Sequence, residues 1–127
     1  MSEAMEVGSK LVDYCRQGKW MDAVNSLYSP NIVSVEPQGG PEMPAKMEGI
    51  DPVRGKTEWW EQNHEVHNVT VEGPYPHGDR FIVRFKLEVT PKAGPMAGKR
   101  MAMDEMGLYT VKDGKVAQEE FFYSMGG

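Results

Sequence analysis

The sequence predicts an α+β fold in which helices cover one face of a curved antiparallel sheet. Apolar residues recur at helical spacing in three segments of the first half, and alternating apolar and polar runs, separated by turn residues, fill the second half. The 127 residues match the size of one domain, so residues 1–127 are expected to share a single core. The expected order of elements is α-α-β-(β)-α-β-β-β-β, with a short strand in brackets.

The three helices are predicted from one-sided apolar patterns and from residues that begin or end helices. The first covers Glu3–Gln17, where apolar residues fall at i, i+4, i+7 and i+8. The second begins at Trp20 and stops before Pro30, because proline cannot continue a helix. The third has Asp51 as its N-cap and ends near His64.

Extended segments follow from alternation between turn residues. They are Ile32–Glu36, a short piece at Ala45–Glu48, and the ranges 68–73, 81–90, 100–111 and 116–123. The range 81–90 alternates most regularly and should present one dry and one wet face. Residues 73–79, "GPYPHGD", are dense in turn formers and predict a turn, and Gly114 in "KDGK" supplies the positive φ of a tight hairpin.

Composition limits the class of protein. A net charge of −5 without a run of basic residues argues against a nucleic-acid partner. The single cysteine, Cys15, cannot close an intrachain disulfide, which is typical of a reducing compartment and excludes a cysteine-rich zinc site. No run of 18 apolar residues and no signal-like start occur, so a cytoplasmic protein without a membrane partner is expected.

Five segments, in this order of elements, resemble the SnoaL-like branch of the nuclear transport factor 2-like superfamily over essentially the whole chain. They are "YCRQGKW", "LYSPNIVSVEPQG", "GIDPVRGK", "GDRFIVRF" and "LYTVKDGKV". The resemblance implies a cone-shaped, cystatin-like fold, in which a bent sheet wraps around the helices and encloses an apolar pocket, and it implies a homodimer. Catalytic members include ketosteroid isomerases, polyketide cyclases, scytalone dehydratase and epoxide hydrolases. Others bind proteins or have no known activity.

Glu36 ends the first predicted strand and stands directly before Pro37. The segment "VSVEP" is similar to the place where ketosteroid isomerases carry their general-base carboxylate, which implies that role for Glu36. A carboxylate beside an apolar cavity is partly desolvated, becomes more basic, and can remove a proton next to a carbonyl. The alternative is a strand-end residue that faces solvent or caps loop amides.

Ketosteroid isomerases also use a tyrosine on the first helix and a protonated aspartate on the penultimate strand. Leu11 and Gly107 stand near those two positions in this chain. Steroid isomerisation by that mechanism is therefore not expected.

Glu105, Glu119 and His64 are the remaining candidates for acidic or polarising groups. Alternation places Glu105 on the face of Gly107, and alignment on the final hairpin favours Glu119 over Glu120 as the cavity-facing residue. Alternatively, Glu105 and Glu119 form cross-strand ion pairs with basic residues of the sheet. These basic residues are Arg84, Lys86 and Arg100.

The histidines of "HEVH", His64 and His67, and the more distant His77 are weak metal candidates, because the helix should end among them. Ordinary surface or helix-end histidines are the favoured interpretation. A cavity-facing His64 would instead be a general acid suited to neutral pH.

The sequence thus predicts a pocket for a hydrophobic small molecule that bears a carbonyl or hydroxyl group. The reaction would be cofactor-free and metal-free acid/base chemistry, with Glu36 as base and His64, Glu105 or Glu119 as acid. A non-catalytic ligand-binding or protein-interaction module of the same fold is the alternative. The predicted ligand-contacting residues are Tyr28, Trp59, Phe81, Val83, Phe85, Met103, Tyr109, Phe121 and Tyr123.

Overall fold

A computed structural model describes residues 2–39 and 44–123 of the chain. The elements are α1 (Glu3–Arg16), α2 (Trp20–Leu27), β1 (Tyr28–Val35), β2 (Lys46–Glu48), α3 (Ile50–Asn63), β3 (His64–His77), β4 (Arg80–Pro91), β5 (Met101–Lys112) and β6 (Lys115–Phe122). The six strands form one sheet in the order β2-β1-β6-β5-β4-β3. The predicted α+β class and order of elements are confirmed.

The pairing in the sheet is antiparallel except between β1 and β6, which run parallel. Their register places Ser34 opposite Glu119 and shifts between Tyr28 and Val33. Pro30 lies in this irregular stretch, where its missing N–H leaves no gap in a regular ladder. The strand therefore begins earlier than Ile32, the predicted start, and directly continues α2.

Helix α3 begins at Ile50 after Gly49, so the prediction of Asp51 as its N-cap is wrong, whereas α1 has a side-chain cap. Ser2 caps α1, because its side chain accepts a hydrogen bond from the backbone N–H of Met5 at 3.1 Å. After α1, Gly18 adopts φ 71° and turns the chain toward α2. Helix α3 ends at Asn63, one residue before His64, which already has extended backbone angles.

The prediction of a turn at residues 73–79 is wrong for most of that range. Strand β3 continues to His77, and its pairing with β4 resumes at Tyr75 opposite Ile82 after an irregularity around the cis Gly73–Pro74 bond. The glycine and proline thus produce a bulge inside a long strand. The β3–β4 turn contains only Gly78 and Asp79.

The inner face of the sheet packs against the helices. On β4, every second residue from Phe81 to Val89 is buried, as the alternation predicted. The β5–β6 hairpin turns at Asp113 and Gly114, which both have positive φ, the geometry of a two-residue type I′ turn. Within the described residues, none of the helices has the length and apolar character required to cross a membrane.

Candidate active site

A cavity of about 450 Å³ opens between the helices and the inner face of the sheet. Most of its wall is apolar, with Leu11, Ala23 and Val24 on the helices and Phe85 and Leu87 on β4. The polar groups are concentrated where β1, β5, β6 and α3 meet. An apolar cavity with a few convergent polar groups is the usual form of a small-molecule site.

Glu119 is the most buried carboxylate at this end of the cavity, with an exposed fraction of 2%. The Tyr28 hydroxyl donates a hydrogen bond to its Oε1, and the Ser34 hydroxyl donates to its Oε2 at 2.6 Å. Lys56 Nζ lies 3.7 Å from the same Oε2. We call these four residues the Glu119 cluster. Because its donors satisfy the carboxylate on both oxygens, Glu119 suits a positioning role better than that of a base.

Lys56 enters the cavity from α3, with only 15% of its side chain exposed. Its ammonium donates a hydrogen bond to Ser34 Oγ and lies 5.3 Å above the centre of the Phe121 ring. A second carboxylate oxygen, Glu36 Oε2, lies 3.9 Å away. A buried lysine requires compensating negative charge, and the two glutamates supply it.

Glu36 lies directly after β1, and its backbone N–H donates to the carbonyl of Ala45 at 2.8 Å. The carboxylate is turned into the cavity, and its Oε2 is buried without a hydrogen-bond partner among the described residues. Burial raises its pKa, and the charge of Glu119 adds to this, although Lys56 and the Tyr123 hydroxyl act in the opposite direction. The Glu36 side chain thus lines the cavity, with 29% of it exposed.

Glu105 lies on β5 opposite Phe85 and also lines the cavity. Burial, followed by the charges of Glu36 and Glu119, raises the pKa of its carboxyl to about 7, while Lys56 lowers it in part. At neutral pH this group is therefore present in both protonation states. Carboxyl groups in one cavity that respond differently to their surroundings allow separate acid and base roles.

The proposed cross-strand pairing of Glu105 and Glu119 with basic residues does not occur, because those residues lie on the other face of the sheet. Arg84 pairs with Asp104 at 2.7 Å, Arg100 with Glu88 at 2.9 Å and Lys86 with Glu72 at 3.8 Å. Glu120 also faces away from the cavity, beside Arg80 and Gln118. The alternation of β5 and β6 thus turns both candidate glutamates inward.

His64 lies at the cavity wall between the two tryptophans of α3. Its ring stacks on Trp60 with centroids 4.5 Å apart, and its Nδ1 is 2.9 Å from the carbonyl oxygen of Trp60. Because a carbonyl only accepts hydrogen bonds, Nδ1 carries the proton and donates.

Trp59 lines the rim and is half-exposed. His67 instead contacts Thr90 at 2.7 Å. The described residues contain no cluster of three or more His, Cys, Asp or Glu side chains suited to a metal ion.

Tyr109 occupies space that a side chain at residue 107 would fill. A Cβ atom on Gly107 would lie 2.7 Å from the Tyr109 ring and 3.0 Å from its hydroxyl oxygen. Burial and the charge of Glu119 raise the pKa of Tyr109 well above its usual range, so the phenol stays neutral. The absence of an acid at residue 107 therefore leaves room for a buried phenol.

Other predicted ligand-contacting residues also line the cavity. They are Tyr28, Phe85, Met103, Phe121 and Tyr123. Burial, with Glu36 and Glu105 nearby, raises the pKa of Tyr123 to about 12. The buried Cys15 thiol is part of the wall, and burial raises its pKa to about 12, so it is a poor nucleophile.

The expectation that Phe81 and Val83 contact a ligand is not met, because both lie in the core beyond the cavity. Phe81 stacks on Tyr109 with centroids 4.9 Å apart. Helix α1 closes over this end of β4, where a Cβ atom on Gly8 would lie 3.2 Å from the Phe81 ring. The inward face of β4 is thus divided between core and cavity.

Lys56 and Ser34 were not among the predicted site residues. Lys56 lies three residues after Val53 and four before Trp60, so it belongs to the inward stripe of α3. Ser34 shares a strand face with Ile32 and Glu36. The available signals were a lysine on the apolar stripe of α3 and a serine next to Ile32 on the inward face of β1.

A bent sheet that covers helices and a cavity is the nuclear transport factor 2-like fold. A family model described as the SnoaL-like domain matches residues 2–123, and this chain belongs to that family. Curated proteins give no significant match.

Solved structures agree with this assignment. A Mesorhizobium loti protein with the provisional names SnoaL-like polyketide cyclase and carbohydrate phosphatase is 44% identical, with a TM-score of 0.86 over 97% of this chain and 100% of its own. A nuclear transport factor 2-like protein of unknown function from Burkholderia pseudomallei is 15% identical, with a TM-score of 0.78 over 98% and 92%. A Catenulispora acidiphila protein with a ketosteroid isomerase-like fold is 17% identical, with a TM-score of 0.66 over 92% and 85%. The last two are similar in fold alone.

Proposed function

We propose that this protein binds a hydrophobic small molecule bearing a carbonyl or hydroxyl group and catalyses cofactor-free proton transfer on it. The reaction would be of the isomerase, cyclase, dehydratase or hydrolase type. The supporting observation is the buried Oε2 of Glu36, which has no hydrogen-bond partner among the described residues, in an apolar cavity that also contains Glu105. Such a carboxylate is poorly solvated and gains stabilisation by accepting a proton. Of the two provisional names of the Mesorhizobium loti relative, polyketide cyclase is consistent with this class of chemistry and carbohydrate phosphatase is not.

In the proposed reaction Glu36 is the base. Glu105, in its protonated form, is the acid or hydrogen-bond donor, since its pKa of about 7 keeps both forms available. His64 Nε2 is a further polar group at the wall, because Nδ1 already donates to Trp60. The apolar wall excludes water, which strengthens the electrostatic interactions inside the cavity.

A substrate-independent test uses 5-nitrobenzisoxazole. A base removes its ring C–H proton, the N–O bond breaks, and a coloured cyanonitrophenolate forms. We expect turnover above the rate of free carboxylate, with Glu36→Gln lowering kcat/KM by about 10²-fold or more. The matched control is Glu58→Gln, a change at an exposed glutamate of α3 that should leave the rate unchanged.

The non-catalytic alternative gives a different result. A binding module would bind an aromatic probe such as 4-nitrophenol in the cavity without accelerating the elimination, and Glu36→Gln would not alter any rate. Acceleration that is equal in the unchanged protein and in Glu36→Gln would exclude Glu36 as the base.

A further inference from the structure

Lys56 has unused hydrogen-bonding capacity inside the cavity. An ammonium group has three N–H donors, and among the described residues Lys56 donates one of them to Ser34 Oγ. The carboxylate oxygens of Glu119 and Glu36 lie 3.7 and 3.9 Å away, beyond hydrogen-bond distance. These contacts hold the charge in place electrostatically. They leave N–H groups for an acceptor in the cavity.

We infer that the Lys56 ammonium binds the oxygen atom of the ligand that becomes negative when Glu36 removes a proton. This inference rests on the proposed function and narrows its substrate class. The substrate would carry an acceptor oxygen, such as a ketone or ester carbonyl. The carbon that loses its proton would lie next to this carbonyl or be joined to it through a conjugated double bond. A compound with only alcohol groups would lack the oxygen that receives the charge.

The step balances within the cavity. The substrate C–H bond breaks and an O–H bond forms on Glu36, while the electron pair moves through the new C=C bond to the carbonyl oxygen. One negative charge therefore moves from Glu36 to the substrate, and no further reactant is required. Because Lys56 lies beside Glu36 and faces the cavity, the same cation neutralises the charge before and after the transfer.

The Glu119 cluster explains why Lys56 is held there. Glu119 receives hydrogen bonds from Tyr28 and Ser34, and its Oε2 lies 3.7 Å from the ammonium. The Phe121 ring lies beneath the ammonium, at 5.3 Å from its centroid, and limits its movement toward the sheet. The cation is therefore positioned before the ligand binds.

A merely structural Lys56 would also affect the rate, because its charge lowers the pKa of Glu36. The two roles differ in their pH profiles. If Lys56 only lowers the pKa of Glu36, then in Lys56→Met the rise of kcat with pH moves to higher pH, and kcat on the high-pH plateau equals that of the unchanged protein. If Lys56 also stabilises the oxyanion, the plateau itself falls. Glu105, Glu119 and Tyr123 also face Glu36 and affect its titration. The pH profile of Lys56→Met is therefore compared with that of the unchanged protein, and not with the pKa of free glutamate.

The kinetic test measures 5-nitrobenzisoxazole elimination, in which the leaving oxygen develops negative charge. We expect Lys56→Met to lower the plateau kcat by about 10²-fold with little change in KM, the typical loss for one oxyanion donor. The control is Lys46→Met, which removes an exposed lysine of β2 that pairs with Glu48. Recovery of the original plateau rate by Lys56→Met would overturn the oxyanion role.

A binding test needs no turnover. We expect the unchanged protein to bind 4-nitrophenol as the yellow phenolate, which lowers the pKa of the bound probe below that of free 4-nitrophenol. Lys56→Met should bind the neutral phenol and lose this shift. If the unchanged protein binds only the neutral phenol, the inference is wrong whatever the variants do.

The two proposals fail separately. Elimination that does not depend on Glu36, together with a Lys56-dependent shift of the nitrophenol pKa, would reject the catalytic proposal and keep the oxyanion site. Circular dichroism tests whether Lys56→Met is folded. If it is not folded, Lys56→Gln replaces it, since its amide can still donate to Ser34 without a charge.

Discussion

The carboxyl group of Glu105 links the stability of the protein to pH. Its pKa is raised from 4.5 to about 7 by burial and by the charges of Glu36 and Glu119, so the folded chain binds this proton more tightly than the unfolded chain. The contribution to stability is greatest below about pH 4.5 and is lost as the pH rises toward 7. The loss is up to about 3 kcal/mol, since each pKa unit corresponds to about 1.4 kcal/mol.

We expect Glu105→Gln to raise the free energy of unfolding above pH 7 and to flatten its fall between pH 4.5 and 7. A smaller slope of the same sign from Glu36 should remain, because its pKa is also raised. Urea unfolding at several pH values measures both effects. Glu65→Gln, at an exposed residue of β3, is the control and should retain the original slope. An unaltered slope in Glu105→Gln would contradict the prediction.

Tyr28 stabilises the buried carboxylate of Glu119 through its hydroxyl. Removal of this donor in Tyr28→Phe leaves a buried acceptor oxygen unsatisfied, which costs about 1–3 kcal/mol. Tyr14→Phe is the matched control, since the Tyr14 hydroxyl donates to Ser26 at 3.3 Å in an exposed position. Thermal unfolding should separate the two variants, and equal stability would show that Glu119 does not depend on Tyr28.

Strand alternation and the resemblance were sufficient to predict inward positions for Glu36, Glu105 and Glu119. They did not predict which of these carboxylates is already satisfied, because Tyr28 and Ser34 reach Glu119 from residues 91 and 85 positions earlier in the chain. Phe81 was assigned to the cavity wall for a similar reason. Phe81 lies on the inward face of β4, as alternation predicted. That α1 covers this residue follows from tertiary packing, which alternation within one strand does not reveal.

At the scale of elements, Gly107 on β5 leaves the space that the Tyr109 side chain occupies in the cavity wall. Gly107→Ala would place a Cβ atom 2.7 Å from the Tyr109 ring, which must then move from its stacked position on Phe81. We expect a loss of stability of about 1–3 kcal/mol, as for other overpacked cores. Thermal unfolding and the near-ultraviolet circular dichroism of the aromatic residues would report the change.

Gly55→Ala is a control of the opposite sign. Gly55 lies exposed within α3, and an added Cβ would meet no atom within 4 Å. Alanine should therefore stabilise the helix by up to about 1 kcal/mol. If Gly107→Ala were as stable as Gly55→Ala, the close contact between Tyr109 and Gly107 would be wrong.

The elements themselves and the end of α3 near His64 were predictable, whereas the starts of β1 and β3 were not. The continuous passage from α3 into β3 at His64 and from α2 into β1 at Tyr28 leaves no turn residues that would mark a boundary. Conversely, "GPYPHGD" has the composition of a turn, but pairing with β4 on both sides of Gly73–Pro74 retains the strand. Long-range pairing overrides local preference in both cases.

At the scale of the whole molecule, the outer face of the sheet carries an exposed apolar patch. Its members are Tyr75, Ile82, Met106 and Phe122, which lie on neighbouring strands. The ion pairs Arg84–Asp104 and Lys86–Glu72 lie on the same face. We propose that a second copy of the chain covers this patch, because both charge signs lie beside it and a twofold-related copy would meet them without net repulsion.

The dimer is tested by sedimentation equilibrium. We expect Met106→Glu to shift the population toward monomer, because it introduces a charge into the centre of the patch. Met96→Glu changes an exposed methionine outside the strands and should leave the assembly unchanged. A monomeric unchanged protein at high micromolar concentration would reject this interface.

The parallel pairing of β1 with β6 has a consequence for biosynthesis. Ser34 and Glu119 are paired partners although they lie 85 positions apart in the sequence. During translation, the polar groups of β1 in this site stay unmatched until β6 has left the ribosome. Closure of so long a loop is slow. A nascent chain that stops before the last hairpin should therefore have no ligand affinity, however well its helices have formed.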